Sequence, residues 1–340
     1  MKVGVRDIAA AVGVSPATVS NALNGKPGVS REVEEKIRGL AREMGYQLPR
    51  PAASARRFVR LIVMKVHGMV VMDTQFFGEL IEAIQRRCLE ERLELVISHI
   101  DMSTDKDWPT QVAGFCAEEC AGSIVLATEL GEKELELFRQ SRSPVIILDN
   151  ACPHLRFHSV CMDNLDAGYK AAGALYDAGH RRIGMIDSSV AFSNMTQRRV
   201  GYMAYLQQHE DTAAPSLWPV RPTIEGAYED MLALLESGRA LPTAFFAGND
   251  IMAIGAMRAL KERGIRVPED VSLIGMDDTD LCLACSPQLS TIRVYRKELG
   301  RMAVELLLSV VPGMTDSRVS ATNTVDVVPR GSIRQLGAEG

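Results

Sequence analysis

The sequence has no long apolar run, no catalytic signature and no overall surplus of positive charge. Nowhere do about 18 apolar residues follow one another, as a membrane span would need. The opening MKVGVRDIAA lacks the apolar core of a signal peptide. These absences predict a cytoplasmic chain with no membrane partner, and the second argues against a secreted solute-binding protein. The seven cysteines (88, 116, 120, 152, 161, 282 and 285) are scattered and odd in number, which fits free thiols in a reducing compartment. Cys282 and Cys285 form a CxxC, but without a second pair or a nearby histidine at ligand spacing no metal site is expected. GxGxxG after a strand, GxxxxGK[ST], GxSxG and HExxH are all missing, and the six histidines do not cluster. The expectation is a protein that is not an enzyme and needs no cofactor.

A formal net charge of −5 by itself argues against nucleic acid, but the charge is unevenly spread. The first 60 residues hold 11 Lys+Arg against 5 Asp+Glu, and the remainder holds 27 against 38. A basic start on an acidic body is the electrostatic footprint of a small DNA-binding head on a larger module. At 340 residues and 46% hydrophobic the chain should form more than one domain, because single cores rarely grow past about 250–300 residues.

Residues 5–24, VRDIAAAVGVSPATVSNALN, carry the strongest local pattern. Ile8, Ala9 and Val12 recur at helical spacing, and Gly13 supplies the left-handed residue that ends such a helix. Ser15 is a good N-cap, and Pro16 falls at the first helical position, where its missing N–H costs nothing. Val19 and Leu23 face inward, leaving Ala17, Thr18, Ser20, Asn21 and Asn24 outward. A helix, a glycine turn and a second helix with small polar outer residues make a form that enters a DNA major groove. Ser30 caps a third helix with Val33, Ile37, Leu40, Ala41 and Met44 on one face; Gly45 stops it and Tyr46 closes the three-helix core.

The run VRDIAAAVGVSPATVSNALNGKPGVSREVEEKIRGLAREMGY resembles the DNA-binding head of the LacI/GalR family of bacterial transcriptional repressors. The resemblance implies that Pro16, Ala17 and Asn21 read bases while Ser15, Thr18 and Asn24 meet phosphates. Asn21 pairs bidentately with adenine in this reading, whereas many relatives carry arginine there and read guanine. After the head, residues 49–58 form a linker and hinge in which Ala55 and Arg56 would contact DNA. The chain departs from the family there: the asparagine after the proline is absent and no leucine follows the Ala-Arg pair. Phe58 either substitutes for that leucine as a minor-groove wedge or begins the core of the body.

From Val59 onward short β-branched runs alternate with helical patterns, the mark of βαβ units around parallel sheets. Two series occur, so two doubly wound α/β sub-domains are expected, with a ligand at the carboxyl ends of their strands. DNLDAGYKAAGALYDAGHRRIGMI and the run from PTAFFAGND to GRMAVELLL resemble the family's periplasmic-binding-protein-like core. The resemblance implies three crossings between the sub-domains, one comprising 59–161 plus 291–320 and the other 162–290 plus 321–335. His180 follows a helix-ending glycine, where a positive side chain complements the helix dipole.

Asp73, Phe76, Arg198, Asn249 and Asp277 fall at predicted strand ends. Such planar polar groups bond neighbouring hydroxyls, and an aromatic ring covers the apolar face of a sugar. In the family, Arg198, Asn249 and Asp277 match positions that line the effector cleft; Asp73 and Phe76 match more loosely. Asn249 is also a good N-cap, and Asp277-Asp278 also suits a turn. The expectation is a homodimeric, carbohydrate-responsive repressor that binds double-stranded operator DNA. A purine- or nucleoside-responsive co-repressed regulator is the alternative, followed by a solute-binding protein with no role in transcription.

Overall fold

The computed structural model describes residues 4–23, 29, 31–44, 46, 58–70, 75–150, 154–310 and 317–337. It divides into two compact units, Met1–Arg57 and Phe58–Gly340.

The first unit holds α1 (Val5–Val12), α2 (Pro16–Leu23) and α3 (Arg31–Glu43). Gly13 ends α1 at φ 78°, a conformation that glycine adopts without strain. Ser15 Oγ accepts the Thr18 N–H at 3.0 Å, so the predicted cap is present. Ile8, Val19, Ala22, Leu23, Ile37 and Ala41 are buried together, and Val33, Met44 and Tyr46 pack against them. Ala22 completes an i, i+3, i+4 set with Val19 and Leu23, which fixes the inward face of α2. Ser30, Gly45 and residues 47–57, which include nearly all of the expected hinge, lie outside the described residues.

The second unit contains two six-stranded sheets. The first takes β1 (Phe58–Lys65), β2 (Glu94–Asp101), β3 (Gly122–Leu126), β4 (Val145–Leu148), β5 (His158–Met162) and β11 (Ser320–Asn323), in the order β11-β5-β4-β3-β1-β2. The second takes β6 (Ile183–Ser188), β7 (Ser216–Val220), β8 (Ala244–Ala247), β9 (Ser272–Asp277), β10 (Ser290–Val294) and β12 (Val325–Val328), in the order β12-β10-β9-β8-β6-β7. Helices α4 (Gln75–Glu90), α5 (Trp108–Ala117) and α6 (Glu132–Glu136) connect the first series. Helices α7 (Asn164–Asp177), α8 (Ser193–Gln207), α9 (Ile224–Glu236), α10 (Asp250–Glu262) and α11 (Leu281–Ala284) belong to the second. Helix α12 (Arg296–Ser309) returns to pack on α4 and the first sheet. The central strands β3, β4 and β8 are buried throughout, as sheets covered on both faces require.

The crossings fall at Asp163, Tyr295 and Thr324, so the expected boundaries need correction. Strand β10 pairs with β9 and belongs to the second lobe, not to a first-lobe segment that starts at 291. Strand β11 pairs with β5, which keeps residues 321–323 in the first lobe. The pairing of the last two strands fixes how the lobes face each other. β11 runs parallel to β5, whereas β12 runs antiparallel to β10, with only Thr324 between them. A chain that continues through the hinge is parallel on one side and antiparallel on the other only if both sets of strands point toward the hinge region. The carboxyl ends of both sheets therefore converge on one cleft.

Other differences have simple causes. Helix α6 ends at Glu136 and passes directly into a 3₁₀ turn, Leu137–Gln140. Phe58 opens β1, pairs with Glu94 and lies half-buried under the Arg60 guanidinium at 5.4 Å, so it belongs to the body's first sheet. His180 is buried, with Nδ1 3.0 Å from Thr243 Oγ1 and Nε2 2.9 Å from Ser272 Oγ. Burial lowers its pKa to about 4, so it is a neutral core histidine rather than a cation on the helix dipole. The six described cysteines are free thiols. Among the described residues no helix is long and apolar enough to cross a membrane.

Candidate functional site

Two surfaces hold the residues singled out in the sequence. On the head, Ser15, Pro16 and Ala17 are exposed at the start of α2, and Thr18 and Asn21 are half-buried one turn further on. Ser15 and Thr18 also share a hydroxyl–hydroxyl bond of 2.8 Å, which ties the cap to the helix. Asn24, Ala55 and Arg56 lie outside the described residues.

In the second unit a cleft of about 740 Å³ opens between the lobes at the carboxyl ends of the strands. Phe76, Arg198, Asn249 and Asp277 all line it, although they come from four different elements. Asp73 lies outside the described residues.

Arg198 is 5% exposed on α8. Its Nε donates to Asn164 Oδ1 at 2.9 Å and its Nη1 to the Gly248 carbonyl at 2.6 Å. Burial pulls its pKa down, while the carboxylates of Asp277, Asp149 and Asp250 hold it up. The α7–α8 crossing places this side chain: a Cβ on Gly168 would sit 1.9 Å from the Arg198 carbonyl oxygen, so only glycine permits the contact. Asn249 caps α10 by accepting the Met252 N–H at 2.9 Å. Its Oδ1 is therefore engaged, and the Nδ2 is the end left for the cleft.

Asp277 ends β9 at φ 121° and Asp278 follows at φ 54°. Two successive non-glycine residues at positive φ are strained, and strain of this kind collects at functional sites. The surroundings hold both in place: the Arg296 guanidinium donates to the Asp277 and Asp278 carbonyls, and Arg293 donates to Asp278 Oδ2 at 2.7 Å. Burial raises the pKa of Asp277 well above the carboxylate range; Arg198 opposes the rise and the neighbouring Asp250 adds to it. Asp250 is fully buried and accepts from Thr291 Oγ1 at 2.6 Å and from the Thr279 N–H at 3.0 Å.

The sequence reading missed Asp149, Asn194, Thr128 and Phe192, which also line the cleft. Asp149 follows β4 at φ 62°, accepts from Thr128 Oγ1 at 2.6 Å and from Asn194 Nδ2 at 2.8 Å, and is 2% exposed. Burial pushes its carboxyl up to about 6, against the bonds from Thr128 and Asn194 and the charge of Arg198. The Asp149–Asn194 bond spans the two lobes. So does the bond from the Asp280 N–H to Gln75 Oε1, at 2.8 Å. Arg296 adds a third link, since it also reaches Glu79 at 3.1 Å. The signal for Asp149 was present in PVIILDN, an acid at the end of an apolar strand like the one in GMDD.

The backbone that follows β1 has its own anchor. Buried Glu129 accepts backbone N–H groups from Val66, His67, Gly68 and Val70 at 2.7 to 3.1 Å. This carboxylate holds the backbone of residues 66–70 after β1, and Val70 is itself a cleft-lining residue.

Residues 5–48 match the model of "Bacterial regulatory proteins, lacI family", and residues 172–333 match a periplasmic-binding-protein-like domain. The chain is 32% identical over 324 residues to the HTH-type transcriptional regulator GalS of Salmonella typhimurium, covering 94% of this chain and 92% of that protein. It is 30% identical over 336 residues to the HTH-type transcriptional repressor PurR of Haemophilus influenzae, covering 97% of each. Its fold matches a lac repressor dimer bound to operator and the anti-inducer ONPF, with a TM-score of 0.73 at 23% identity over 98% of this chain and 100% of that one. A basic helix-turn-helix head, two doubly wound lobes around a polar cleft and relatives matched along nearly the whole length lead to one conclusion: the chain belongs to the lacI family of bacterial regulatory proteins, as a DNA-binding transcriptional repressor.

Proposed function

We propose that the chain acts in the cytoplasm as a homodimer on a near-palindromic operator, and that a carbohydrate bound between the lobes changes its hold on DNA. The observation that carries this reading is the set of hydrogen bonds across the cleft, above all Asp149 to Asn194 at 2.8 Å, beside the ligand-facing Arg198 and Asp277. A ligand that inserts among these groups alters lobe closure and hence the position of the heads. Pro16, Ala17 and Asn21 read bases, Ser15, Thr18 and Asn24 hold phosphates, and Ala55 and Arg56 contact DNA from the hinge. Phe76, Arg198, Asn249 and Asp277 hold the effector, with Asp73 beside them. The protein performs no chemistry on its ligand.

Three aromatic rings in the cleft, Phe76, Phe77 and Phe192, favour a second reading in which the effector is a nucleoside or purine. Fluorescence anisotropy on an operator obtained by binding-site selection tests both. The effector shifts operator affinity about 5- to 150-fold, the range of ordinary coupling free energies. Asn21→Ala relaxes preference at one base per half-site by about 1–3 kcal/mol; unchanged preference overturns the base-reading assignment. Specific operator binding by a chain lacking residues 1–57 overturns the repressor reading, and turnover of a sugar abolished by Asp277→Asn with binding intact makes the protein an enzyme.

A further inference from the structure

The second-lobe turn that follows β9 is wired to the first lobe by a closed chain of hydrogen bonds. Asp277 and Asp278 both adopt positive φ, and both present their carbonyl oxygens to the Arg296 guanidinium at the start of α12. Arg296 Nε donates in turn to Glu79 Oε2 at 3.1 Å, on α4. The other carboxylate oxygen, Glu79 Oε1, accepts from Gln75 Nε2 at 3.0 Å, one turn earlier on the same helix. Gln75 Oε1 then accepts the Asp280 N–H at 2.8 Å, which brings the chain back to the turn where it began.

Each side chain has one place in this ring. The Gln75 amide points its oxygen at a backbone N–H and its nitrogen at a carboxylate, so neither bond survives a reversal. Burial works to raise the Glu79 carboxyl, but the bond and charge of Arg296, the bond from Gln75 and the charge of Lys297 hold it below its ordinary value. An ionised carboxylate thus sits between two donors, and charge-assisted bonds of this kind are the stronger ones. Glu79 and Arg296 both belong to first-lobe helices, and neither lines the cleft. The turn they hold does, through Asp277, Thr279, Asp280 and Leu281. Within that turn the Thr279 N–H is bonded inside the second lobe, to Asp250 at 3.0 Å.

We propose that Glu79 is a positioning residue for the response to effector: it orients Arg296 and Gln75 so that the strained 277–280 turn stays latched to α4. The proposal rests on the effector reading above and adds to it the element that resists parting of the lobes. A ligand that presses on Asp277 or Asp280 works against this ring, so the strength of the ring sets how far binding moves the lobes. Without the Glu79 charge, Arg296 and Gln75 lose their common anchor. The turn, which surrounding bonds hold in a strained conformation, then parts from the first lobe more often.

Glu79→Gln in the full chain keeps the size of the side chain and removes its charge. Amide hydrogen exchange at single-residue resolution tests the latch, because two adjacent amides answer to different lobes. The Asp280 N–H, bonded to Gln75, should exchange about tenfold faster than in the parent, while the Thr279 N–H, bonded to Asp250, stays unchanged. Gln75→Ala removes the acceptor outright and gives the upper limit of that acceleration. On an operator obtained by binding-site selection, Glu79→Gln should shift affinity about fivefold and keep the salt slope of the parent, since no phosphate contact changes. Equal acceleration at Thr279 and Asp280 makes Glu79 a residue of general stability and overturns the proposal. So does an Asp280 amide that exchanges as in the parent, or an accelerated one with unaltered operator affinity. Both readouts use the ligand-free chain, so a failure of the effector reading in the anisotropy assay above is recorded separately from a failure of the latch.

Discussion

The two lobes of the body share one wiring, and their cleft-facing residues occupy matching places. Strands β1 to β5 and β11 of the first lobe correspond in order to β6 to β10 and β12 of the second. Asp149 after β4 therefore faces the equivalent of itself, Asp277 at the end of β9, and both adopt positive φ. Thr128 after β3 matches Asn249 after β8, and Gln75 at the start of α4 matches Asn194 at the start of α8. The lobes differ in what stiffens them. In the second, Asp163, Thr223 and Asn249 give α7, α9 and α10 side-chain caps, and buried His180 joins two strand starts. In the first, α5 and α6 have no side-chain N-cap, a lack that α8 of the second shares, and the backbone after β1 is held by Glu129. Both halves present polar groups, Asp149, Thr128 and Gln75 from the first lobe and Arg198, Asn194, Asn249 and Asp277 from the second, while two of the three rings, Phe76 and Phe77, come from the first.

The largest expected effect comes from breaking the helix crossings. A Cβ at Gly168 would lie 1.9 Å from the Arg198 carbonyl oxygen, and one at Gly201 would lie 1.9 Å from the Leu165 oxygen. The corresponding first-lobe contact is looser, since a Cβ at Gly300 would lie 2.7 Å from the Leu80 oxygen. Overpacking usually costs about 1–3 kcal/mol. Gly300→Ala is expected within that range and Gly168→Ala beyond it, because backbone rather than a flexible side chain blocks the space. Urea titration orders the two, and an equal cost removes the difference in stiffness.

Acid provides a second way to separate the lobes. His180 has a pKa of about 4 in the folded chain, below its ordinary value of 6.5. Between those values the unfolded chain holds the extra proton, so the contribution is complete above pH 6.5 and lost as pH falls toward 4. The stability advantage of the parent over His180→Asn should therefore shrink by about 3 kcal/mol across that window. Asp277 and Asp149, whose pKa values are raised, act in the opposite sense, and the difference between parent and variant cancels them. The chain has two tryptophans, Trp108 on α5 of the first lobe and Trp218 on β7 of the second. In a Trp108→Phe background the remaining fluorescence reports the second lobe. A variant that matches the parent's pH dependence rules out the neutral histidine.

Local chemistry made much of this legible in the sequence. The head follows from periodicity, the left-handed Gly13 and the Ser15 cap, all decided within about 20 residues. The parallel sheets follow from alternating β-branched and helical runs. The crossings do not, because β10 and β11 look alike as short strands and only pairing with distant partners assigns each to a lobe. Asp149 and Asn194 were missed for a similar reason. Their role arises from meeting each other across 45 residues of chain, which no local pattern records. Arg198 was visible through its match to a cleft-lining position of the family, but the close crossing at Gly168 that seats it was not.

The smallest expected effects belong to the caps, and they separate structure from ligand. Asp163 accepts the Asp166 N–H at 2.9 Å and does not line the cleft, whereas Asn249 caps α10 at the same distance and does. Loss of an N-cap costs about 1 kcal/mol. Asp163→Ala and Asn249→Ala should lose stability to that degree in thermal melts of the free protein. Only Asn249→Ala should also weaken the binding of a neutral sugar that titrates the parent chain. Asn249→Asp keeps the capping oxygen and replaces the cleft-facing donor with an acceptor. It should therefore retain most of the stability and still lose the sugar. If Asn249→Asp binds sugar like the parent, Asn249 acts solely as a cap, and the polar set of the second lobe reduces to Arg198, Asn194 and Asp277.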